Sequence, residues 1–288
     1  MPQVSVVTDS CASLPDEFYG RYDIRMVPYF IHLGQRSLRD LVDISRDELL
    51  DHLRGASELP KTANPGPGDF LAAFQAAAER TKDIVSIHMT SLGSGAYQAA
   101  SVAKEMALKV LRDVRIEVVD TRNVAMAHGW MVVEAARASL AGASLDQILD
   151  LIQRMIPVTR MLQTADTLRY LYLGGRIGKA THMVGSLLNI KPIISMEDGI
   201  IVPLGQARSR AAVYKRMAEL IAAKVGAGSA IKAAIVHAAD EEAAGTLRDL
   251  IASRFHCAEM LVTNLSSALA VHTGPGTVGV CYFPVNVL

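Results

Sequence analysis

The sequence has few of the residues that build disulfide frameworks, metal centres or aromatic surfaces. Its 288 residues include three cysteines and one tryptophan, and aromatic side chains make up 5% of the chain. Cys11, Cys257 and Cys281 lack the close spacing of metal ligands or redox pairs, so we interpret them as packing thiols in a reducing compartment. No two of the eight histidines stand at ligand spacing, which argues against a metal site.

Excess charge and long apolar runs are lacking as well. Lysine plus arginine and aspartate plus glutamate both number 29, so no charge imbalance attracts nucleic acid. Low aromatic content also argues against stacking on bases. No apolar run is long enough to span a bilayer, and the N-terminal MPQVSVVTDS has no signal-peptide pattern. We therefore expect a cytoplasmic protein that binds a small molecule or another protein, and no nucleic acid.

Nucleotide-binding and hydrolase motifs are absent. The chain contains no GxxxxGK followed by Ser or Thr, and the glycines of GGRIG (174–178) have the wrong spacing for a dinucleotide-binding turn. In SLGSGAYQAA (91–100) the glycines adjoin Ser94, whereas a nucleophile elbow places them two residues away on either side. The sequence therefore predicts no nucleotide cofactor and disfavours a serine hydrolase.

The first half of the chain alternates short apolar runs with helical patterns. Strand-like runs cover residues 4–10, 24–30, 83–89 and 115–121. Such alternation is typical of βαβ units, so it predicts an α/β fold whose N-terminal parallel sheet is flanked by helices. Residues 61–69 are predicted to form a loop, because two prolines and two glycines oppose regular pairing.

Local signals mark individual helices. Ser45 with Glu48, and Ser144 with Gln147, have the spacing of capping boxes at helix starts. The helix predicted after SGA carries apolar residues near one stripe. They are Tyr97, Val102, Met106 and Val110.

The second half combines helices with antiparallel signals. We place a domain boundary before Pro157, which gives an N-terminal domain of residues 1–156 and a C-terminal domain of residues 157–288. The runs NIKPIISM and GIIVPLGQA are joined by Glu-Asp-Gly at 197–199, which predicts a β-hairpin. We expect a C-terminal α+β domain with a mixed or antiparallel sheet.

Small polar residues follow the predicted N-terminal strands. They are Thr8, Asp9 and Ser10 after the first strand, Ser94 and Gly95 after the third, and Asp120 after the fourth. Ligands of open parallel sheets bind beyond the carboxyl ends of the strands, so we expect a polar site there. The turn at Ser94 leads into a helix and either seats an anion or only caps the helix. The residues at 8–10 and 120 would form an accessory site.

Three further residues are candidates because of the turns around them. His272 precedes Gly-Pro-Gly, a sequence that favours a tight turn and can aim the imidazole ring. Arg176 lies in GGRIG at a predicted bend, and Arg208 lies in QARSR before a predicted helix. From spacing alone, solvated surface cations are the favoured interpretation of both arginines.

Taken together, these motifs resemble the DegV family of bacterial proteins. The resemblance covers almost the whole chain, and the motifs occur in one order. They are VVTDSCASLP (6–15), KTANPGPGDF (61–70), SLGSGAYQAA (91–100), VVDTRNVAMAHG (118–129), LRYLYLGGRIG (168–178), LLNIKPII (187–194) and HTGPGTVGV (272–280). The resemblance implies a two-domain α/β fold that holds one long-chain fatty acid in a cleft or tunnel between the domains.

The resemblance also implies a role and a set of site residues. Family members are fatty-acid-binding subunits of bacterial fatty acid kinase, which take an acyl chain from the membrane surface and present it to a separate kinase protein. The family's carboxylate-binding residues fall on Thr62, Ser94, the Gly95 backbone and His272, and its kinase-contacting arginines fall on Arg176 and Arg208. The chain departs from the family pattern at Ala63–Asn64, Gly93, Ala96 and Ala127.

The expected function is therefore that of a lipid carrier and not of a catalyst. A buried carboxylate would be stabilised by hydroxyls, an imidazole and a helix N-terminus, while burial of methylenes supplies most of the affinity. Two alternatives stay open. One is a hydrolase in which Ser94 and His272 act with Asp9 or Asp120, and the other is an interaction module that binds no lipid.

Overall fold

The computed structural model describes residues 2–55, 59–186 and 190–288. The motif at 187–194 therefore lies partly outside the described residues. Thirteen strands are found in the described ranges. They are β1 (Ser5–Asp9), β2 (Ile24–Val27), β3 (Phe30–Leu33), β4 (Arg36–Arg39), β5 (Lys61–Ala63), β6 (Asp83–His88), β7 (Arg115–Asp120), β8 (Arg160–Thr164), β9 (Lys191–Glu197), β10 (Ile200–Ala207), β11 (Ala230–His237), β12 (His256–Asn264) and β13 (Val278–Pro284).

Ten α-helices are found in the same ranges. They are α1 (Asp16–Arg21), α2 (Arg46–Gly55), α3 (Pro67–Ala78), α4 (Ala96–Val110), α5 (Ala125–Leu140), α6 (Leu145–Met155), α7 (Arg169–Leu173), α8 (Arg210–Val225), α9 (Glu241–Arg254) and α10 (Ser267–Thr273). The capping boxes predicted at Ser45 and Ser144 are confirmed, because each hydroxyl accepts from the backbone N–H three residues on and the Glu48 or Gln147 side chain accepts in return.

The N-terminal sheet has the strand order β2-β1-β6-β7, and all its pairs are parallel. Alternate residues of β1 pack on opposite faces: Val6 contacts the core that contains α5, and Val7 contacts the core of α3 and α4. A strand buried on both faces is a continuous apolar run, which is why the sequence predicted a parallel sheet correctly.

Two of the strand and loop predictions for this half are wrong. The run at 24–30 is not one strand, because Pro28, which has no N–H to donate, separates β2 from β3. Residues 61–63 are not loop but form β5, which pairs with β3 in a small antiparallel sheet of order β4-β3-β5. The prolines and glycines of the 61–69 segment all follow β5, so they end the strand without preventing it.

Helix α4 faces the core with small residues and not with its large apolar ones. Val102, Met106 and Val110 are 50%, 38% and 62% exposed, so the predicted stripe is not the buried face. The buried face consists of alanines, which let α4 approach its neighbours closely. They are Ala96, Ala99, Ala100, Ala103 and Ala107.

The C-terminal sheet has the order β10-β9-β8-β13-β11-β12, in which only β11 and β12 are parallel, so the predicted mixed sheet is confirmed. The predicted hairpin is β9 and β10, and its turn residues Asp198 and Gly199 have φ of 48° and 82°. Positive φ at both central positions is the geometry of a type I′ turn, which explains why Asp-Gly is found there.

Helix α5 packs between the two large sheets. Its Trp130 shares one core with Val6 of the N-terminal sheet and Phe283 of the C-terminal sheet, and the Trp130 indole donates to the carbonyl of Cys281 at 3.2 Å. Helices α8 and α9 cover the other face of the C-terminal sheet. The predicted α/β architecture is thus confirmed, whereas the boundary at Pro157 stays a prediction. No helix in the described ranges is both long and apolar enough to cross a membrane.

Candidate functional site

A cavity of about 510 Å³ lies between the carboxyl ends of the N-terminal strands and one face of the C-terminal sheet. Its lining includes residues of β5, of the loop 89–95, of the segment 171–178, of α10 and of the strands β8 to β10. Thr62, Ser94, Gly95, Arg176 and His272, five of the six residues that the family resemblance assigned, line this one cavity.

Ser94 stands at the start of α4. Its hydroxyl accepts from Ala96 N–H at 3.3 Å and lies 2.5 Å from the hydroxyl of Tyr29. The N-cap is Gly95, whose own N–H has no acceptor among the described residues. A Cβ on Gly95 would lie 2.9 Å from Asn64 Oδ1, so this turn passes close to the Asn64 side chain and a larger residue would have to displace it. The turn therefore presents a free amide and a hydroxyl to the cavity.

Thr62 and His272 meet from opposite ends of the chain. Thr62 Oγ1 lies 2.7 Å from His272 Nε2, and the two residues come from β5 and from the last turn of α10. The sequence predicted the turn after His272 but not α10, the helix that contains this residue. The ring is therefore aimed by a helix, and the predicted turn follows it, with φ of 78° at both Gly274 and Gly276.

Burial keeps the imidazole of His272 neutral. Desolvation, with a smaller effect from the positive charge of Arg176, lowers the pKa of His272 to about 4. Its Nδ1 is buried without a hydrogen-bond partner in the described part of the chain. A neutral imidazole beside a hydroxyl can donate from Nε2, so the pair supplies hydrogen bonds without a buried cation.

Asp40 joins the two sides of the site. Its buried carboxylate accepts from Ser10 Oγ at 2.7 Å and from the first N–H groups of α10, those of Ser267 at 3.1 Å and Ala268 at 3.2 Å. Ser10 Oγ in turn accepts from the backbone N–H of Tyr29 at 3.2 Å. One carboxylate therefore fixes the helix that carries His272 relative to the tyrosine that contacts Ser94.

The two candidate arginines differ in position. Arg176 is exposed at the rim of the cavity and donates from Nη1 to the carbonyl of Gly174 at 2.7 Å. Arg208 is exposed and does not line the cavity. The neighbouring Arg210 forms ion pairs with Asp166 and Asp240, so this second arginine of QARSR has a structural role.

The residues of the accessory site do not line the cavity. Thr8, Asp9 and Ser10 are fully buried, and Asp120 accepts from the backbone N–H groups of Ser91 and Arg122. These four side chains are already bonded within the chain, and Asp9 Oδ2 lies 2.9 Å from His88 Nδ1. Their hydrogen bonds hold the loops at the strand ends in place.

The hydrolytic arrangement considered from the sequence is not assembled. Ser94 contacts Tyr29, and His272 contacts Thr62. A serine, a histidine and an aspartate are connected by hydrogen bonds elsewhere in the structure. Ser86 Oγ lies 2.7 Å from His88 Nε2, and the other ring nitrogen of His88 contacts the carboxylate of Asp9. All three are fully buried and outside the cavity lining, so no substrate reaches them.

An apolar floor completes the cavity. It is formed by one face of β8, β9 and β10, where Met161 lies beside Met196 and Met196 pairs with Ile201. Gln163 and Ile194 continue this face. Three residues of the site were not predicted from the sequence: Tyr29, Asp40 and Gln163. The pairing of distant strands, and not their spacing in the sequence, brings them to the site. The only local signal was Pro28, which interrupts the predicted strand next to Tyr29.

Metal binding finds no support in the described residues, where no three His, Cys, Asp or Glu side chains converge. The fold and the cavity define a layered α/β protein that encloses a small-molecule site, with hydroxyls and an imidazole at one part and an apolar floor at another.

The chain belongs to the DegV family, whose model, described as an uncharacterised protein of that family, matches residues 3–285. A DegV domain-containing protein of Streptomyces coelicolor is 34% identical over 279 residues, which are 96% of this chain and 97% of the relative. The resemblance stated from the sequence is thereby confirmed.

Solved structures of the family have the same fold. A DegV family protein from Thermus thermophilus, described for its fatty acid binding, is 31% identical with a TM-score of 0.92 and covers 99% of this chain and 100% of its own. DegV of Bacillus subtilis, a fatty acid binding protein, is 27% identical with a TM-score of 0.86 over 99% and 100% of the chains. A stearic acid-binding protein from Eubacterium ventriosum is 26% identical with a TM-score of 0.87 over 99% and 98%.

Proposed function

We propose that this protein binds one long-chain fatty acid in the cavity between its two large sheets. The observation that carries the proposal is that hydrogen-bonding groups and an apolar floor line one cavity, in a chain whose relatives of the same fold bind fatty acids. In this proposal residues 1–156 and 157–288 act as the two domains that enclose the ligand.

The carboxylate is held by Thr62, Ser94, the Gly95 N–H and His272. It enters where the Thr62–His272 and Tyr29–Ser94 contacts now lie, and accepts from the hydroxyls and from Nε2. Each hydrogen bond to a charged group contributes about 1.5 to 3 kcal/mol, which offsets desolvation of the carboxylate. The negative charge also raises the pKa of His272 from its lowered value.

The acyl chain lies along the floor formed by Met161, Ile194, Met196 and Ile201. Burial of apolar surface contributes about 0.8 kcal/mol per methylene, so a long chain contributes more than the carboxylate does. The tail therefore sets the affinity and the head sets the orientation.

Lipid analysis of the purified protein tests the binding role. After denaturation, mass spectrometry should find about one fatty acid per chain, and the Ser94→Ala variant should retain much less. Ser253→Ala, which changes an exposed serine of α9, is the matched control and should retain the full amount. Absence of fatty acid from repeated preparations, including those incubated with oleate or palmitate, contradicts the proposal.

The protein acts as a carrier and not as an enzyme: it takes the acid during transient contact with the membrane surface and presents the carboxylate to a cytoplasmic fatty acid kinase. Arg176 supports this step because it is exposed at the rim of the cavity that holds the carboxylate residues. Arg208 is a second candidate contact.

Kinase presentation is tested separately from binding. Arg176→Ala should leave the fatty acid content unchanged and slow acyl phosphate formation by the partner kinase, and Arg208→Ala should have a smaller effect. Arg216→Ala, at an exposed arginine of α8, serves as the control. Loss of bound lipid in Arg176→Ala would assign this arginine to the binding site instead.

A further inference from the structure

One polar side chain interrupts the apolar floor. Gln163 lies on β8 on the same face as Met161, because side chains two residues apart on a strand point to the same side. Leu162, between them, packs in the core on the opposite face. Gln163 is 3% exposed and pairs in register with Ile194, which also lines the cavity.

The side-chain amide of Gln163 carries an unpaired donor in the part of the chain that the structure describes. Its Nε2 is buried without a hydrogen bond to any described residue. On one side its strand neighbour is Ile194, and on the other it is Gly279, which offers no side chain. A Cβ on Gly279 would lie 2.7 Å from the carbonyl oxygen of Leu162 and 3.3 Å from Gln163 Cβ, so a side chain at this position would crowd β8.

Buried polar groups normally form hydrogen bonds, and Ser195 of the same sheet does so, in contrast to the Gln163 amide nitrogen. Ser195, on the opposite face of β9, donates to the carbonyl of Met161 at 2.6 Å. An unpaired buried amide is unfavourable, so a glutamine whose nitrogen lacks a partner among the described residues indicates a polar group in the occupant of this floor. Thr273 lines the same cavity, is 9% exposed and also has an unpartnered hydroxyl.

We infer that Gln163 binds a hydroxyl group carried on the acyl chain, so that the ligand is a hydroxy fatty acid. A hydroxyl is both donor and acceptor and can pair with either end of the amide, whereas a methylene can pair with neither. The carboxylate already has Thr62, Ser94 and His272, which leaves the amide of Gln163 for the chain. This inference rests on the proposed function and refines its ligand class.

A competition experiment tests the inference. Native mass spectrometry of the whole protein with equimolar stearate and one hydroxystearate at a time, carrying the hydroxyl at carbon 3, 10 or 12, gives the ratio of the two complexes. At least one isomer should bind roughly tenfold better than stearate. In Gln163→Leu the preference should disappear or invert, and in the matched control Gln206→Leu, which changes an exposed glutamine of β10 outside the cavity lining, it should persist.

The outcomes separate this inference from the proposed function. Stearate binding equal to or tighter than every hydroxystearate overturns the role of Gln163 and leaves the carrier role intact. Equal weakening of stearate and hydroxystearate in Gln163→Leu also overturns it, because the glutamine would then serve the carboxylate. If no acid binds the wild-type protein, both fail. Gln163→Met, which keeps the length of the side chain, repeats the test if the leucine variant does not fold.

Discussion

Thr62 Oγ1 and His272 Nε2 lie 2.7 Å apart although 210 positions separate them in the sequence. The contact joins the small antiparallel sheet of the N-terminal half to α10 in the C-terminal half. A carboxylate held by both residues is therefore held by both halves of the chain, which ties ligand binding to their docking.

Replacement of Thr62 by valine should weaken fatty acid binding about tenfold, because it removes one hydrogen bond to a charged group and keeps the shape of the side chain. Thr62→Ser should keep most of the affinity. Dissociation constants measured for palmitate provide the comparison, with Thr246→Val on the exposed face of α9 as the control. Unchanged affinity in Thr62→Val would remove this residue from the carboxylate site.

His272 should make the protein less stable in acid. Its folded-state pKa is about 4, below the ordinary value of 6.5, so below pH 6.5 the unfolded chain binds a proton that the folded chain does not. The free energy of unfolding therefore falls as the pH drops from about 6.5 to about 4, by at most about 3 kcal/mol for this group.

Denaturant unfolding of wild type and His272→Gln at pH 7 and pH 4.5 measures this effect. His128 and His237, whose pKa values are also lowered by burial, destabilise both proteins alike in acid. The difference between the two proteins isolates His272, and the variant should lose less stability than the wild type. Parallel pH profiles would show that His272 does not titrate in this window.

Gly174 leaves the space that His272 occupies. A Cβ at this position would overlap His272 Nδ1, so Gly174→Ala should displace the ring and reduce fatty acid binding, with a smaller effect on stability. Gly245 in α9 has nothing within 4 Å of its Cβ position. Gly245→Ala is therefore the matched control, and it should be neutral or stabilise the helix by up to about 1 kcal/mol.

Asp40 should be required for stability and for ligand binding. Asparagine has one acceptor oxygen in place of two and would direct its NH₂ at the donors from Ser10 and α10. Asp40→Asn should lower the free energy of unfolding by about 1 to 3 kcal/mol and also weaken binding of palmitate.

The nearby Asp43, exposed and paired with Arg39, gives the control, since Asp43→Asn should leave the free energy of unfolding nearly unchanged. Equal effects of the two substitutions on unfolding, measured in urea, would contradict the linking role of Asp40.

Many local features were predictable from the sequence because each depends on a few neighbouring residues. The capping boxes at Ser45 and Ser144 and the Asp198–Gly199 turn satisfy hydrogen bonds or dihedral preferences within four residues. Apolar runs also indicated the strands of the parallel sheet, because a strand that is buried on both faces needs apolar residues at successive positions. The family motifs further located Thr62, Ser94, Gly95, Arg176 and His272, all of which line the cavity.

Other features were not predictable because they depend on what packs against them. The apolar side chains of α4 face outward, since the space beside α3 admits only alanines. Residues 61–63 become a strand because β3 is beside them to pair with.

The sequence by itself determined the helix starts at Ser45 and Ser144, the Asp198–Gly199 turn and the parallel character of the N-terminal sheet, since these follow from short-range hydrogen bonds and side-chain volume. It also determined the family to which the chain belongs. Only the tertiary structure decided that Thr62 meets His272 and that Asp40 holds α10. It also decided that the Gln163 amide nitrogen, in an apolar floor, has no partner among the described residues. Those relationships join distant segments through strand pairing and helix docking, and no local pattern of residues specifies them.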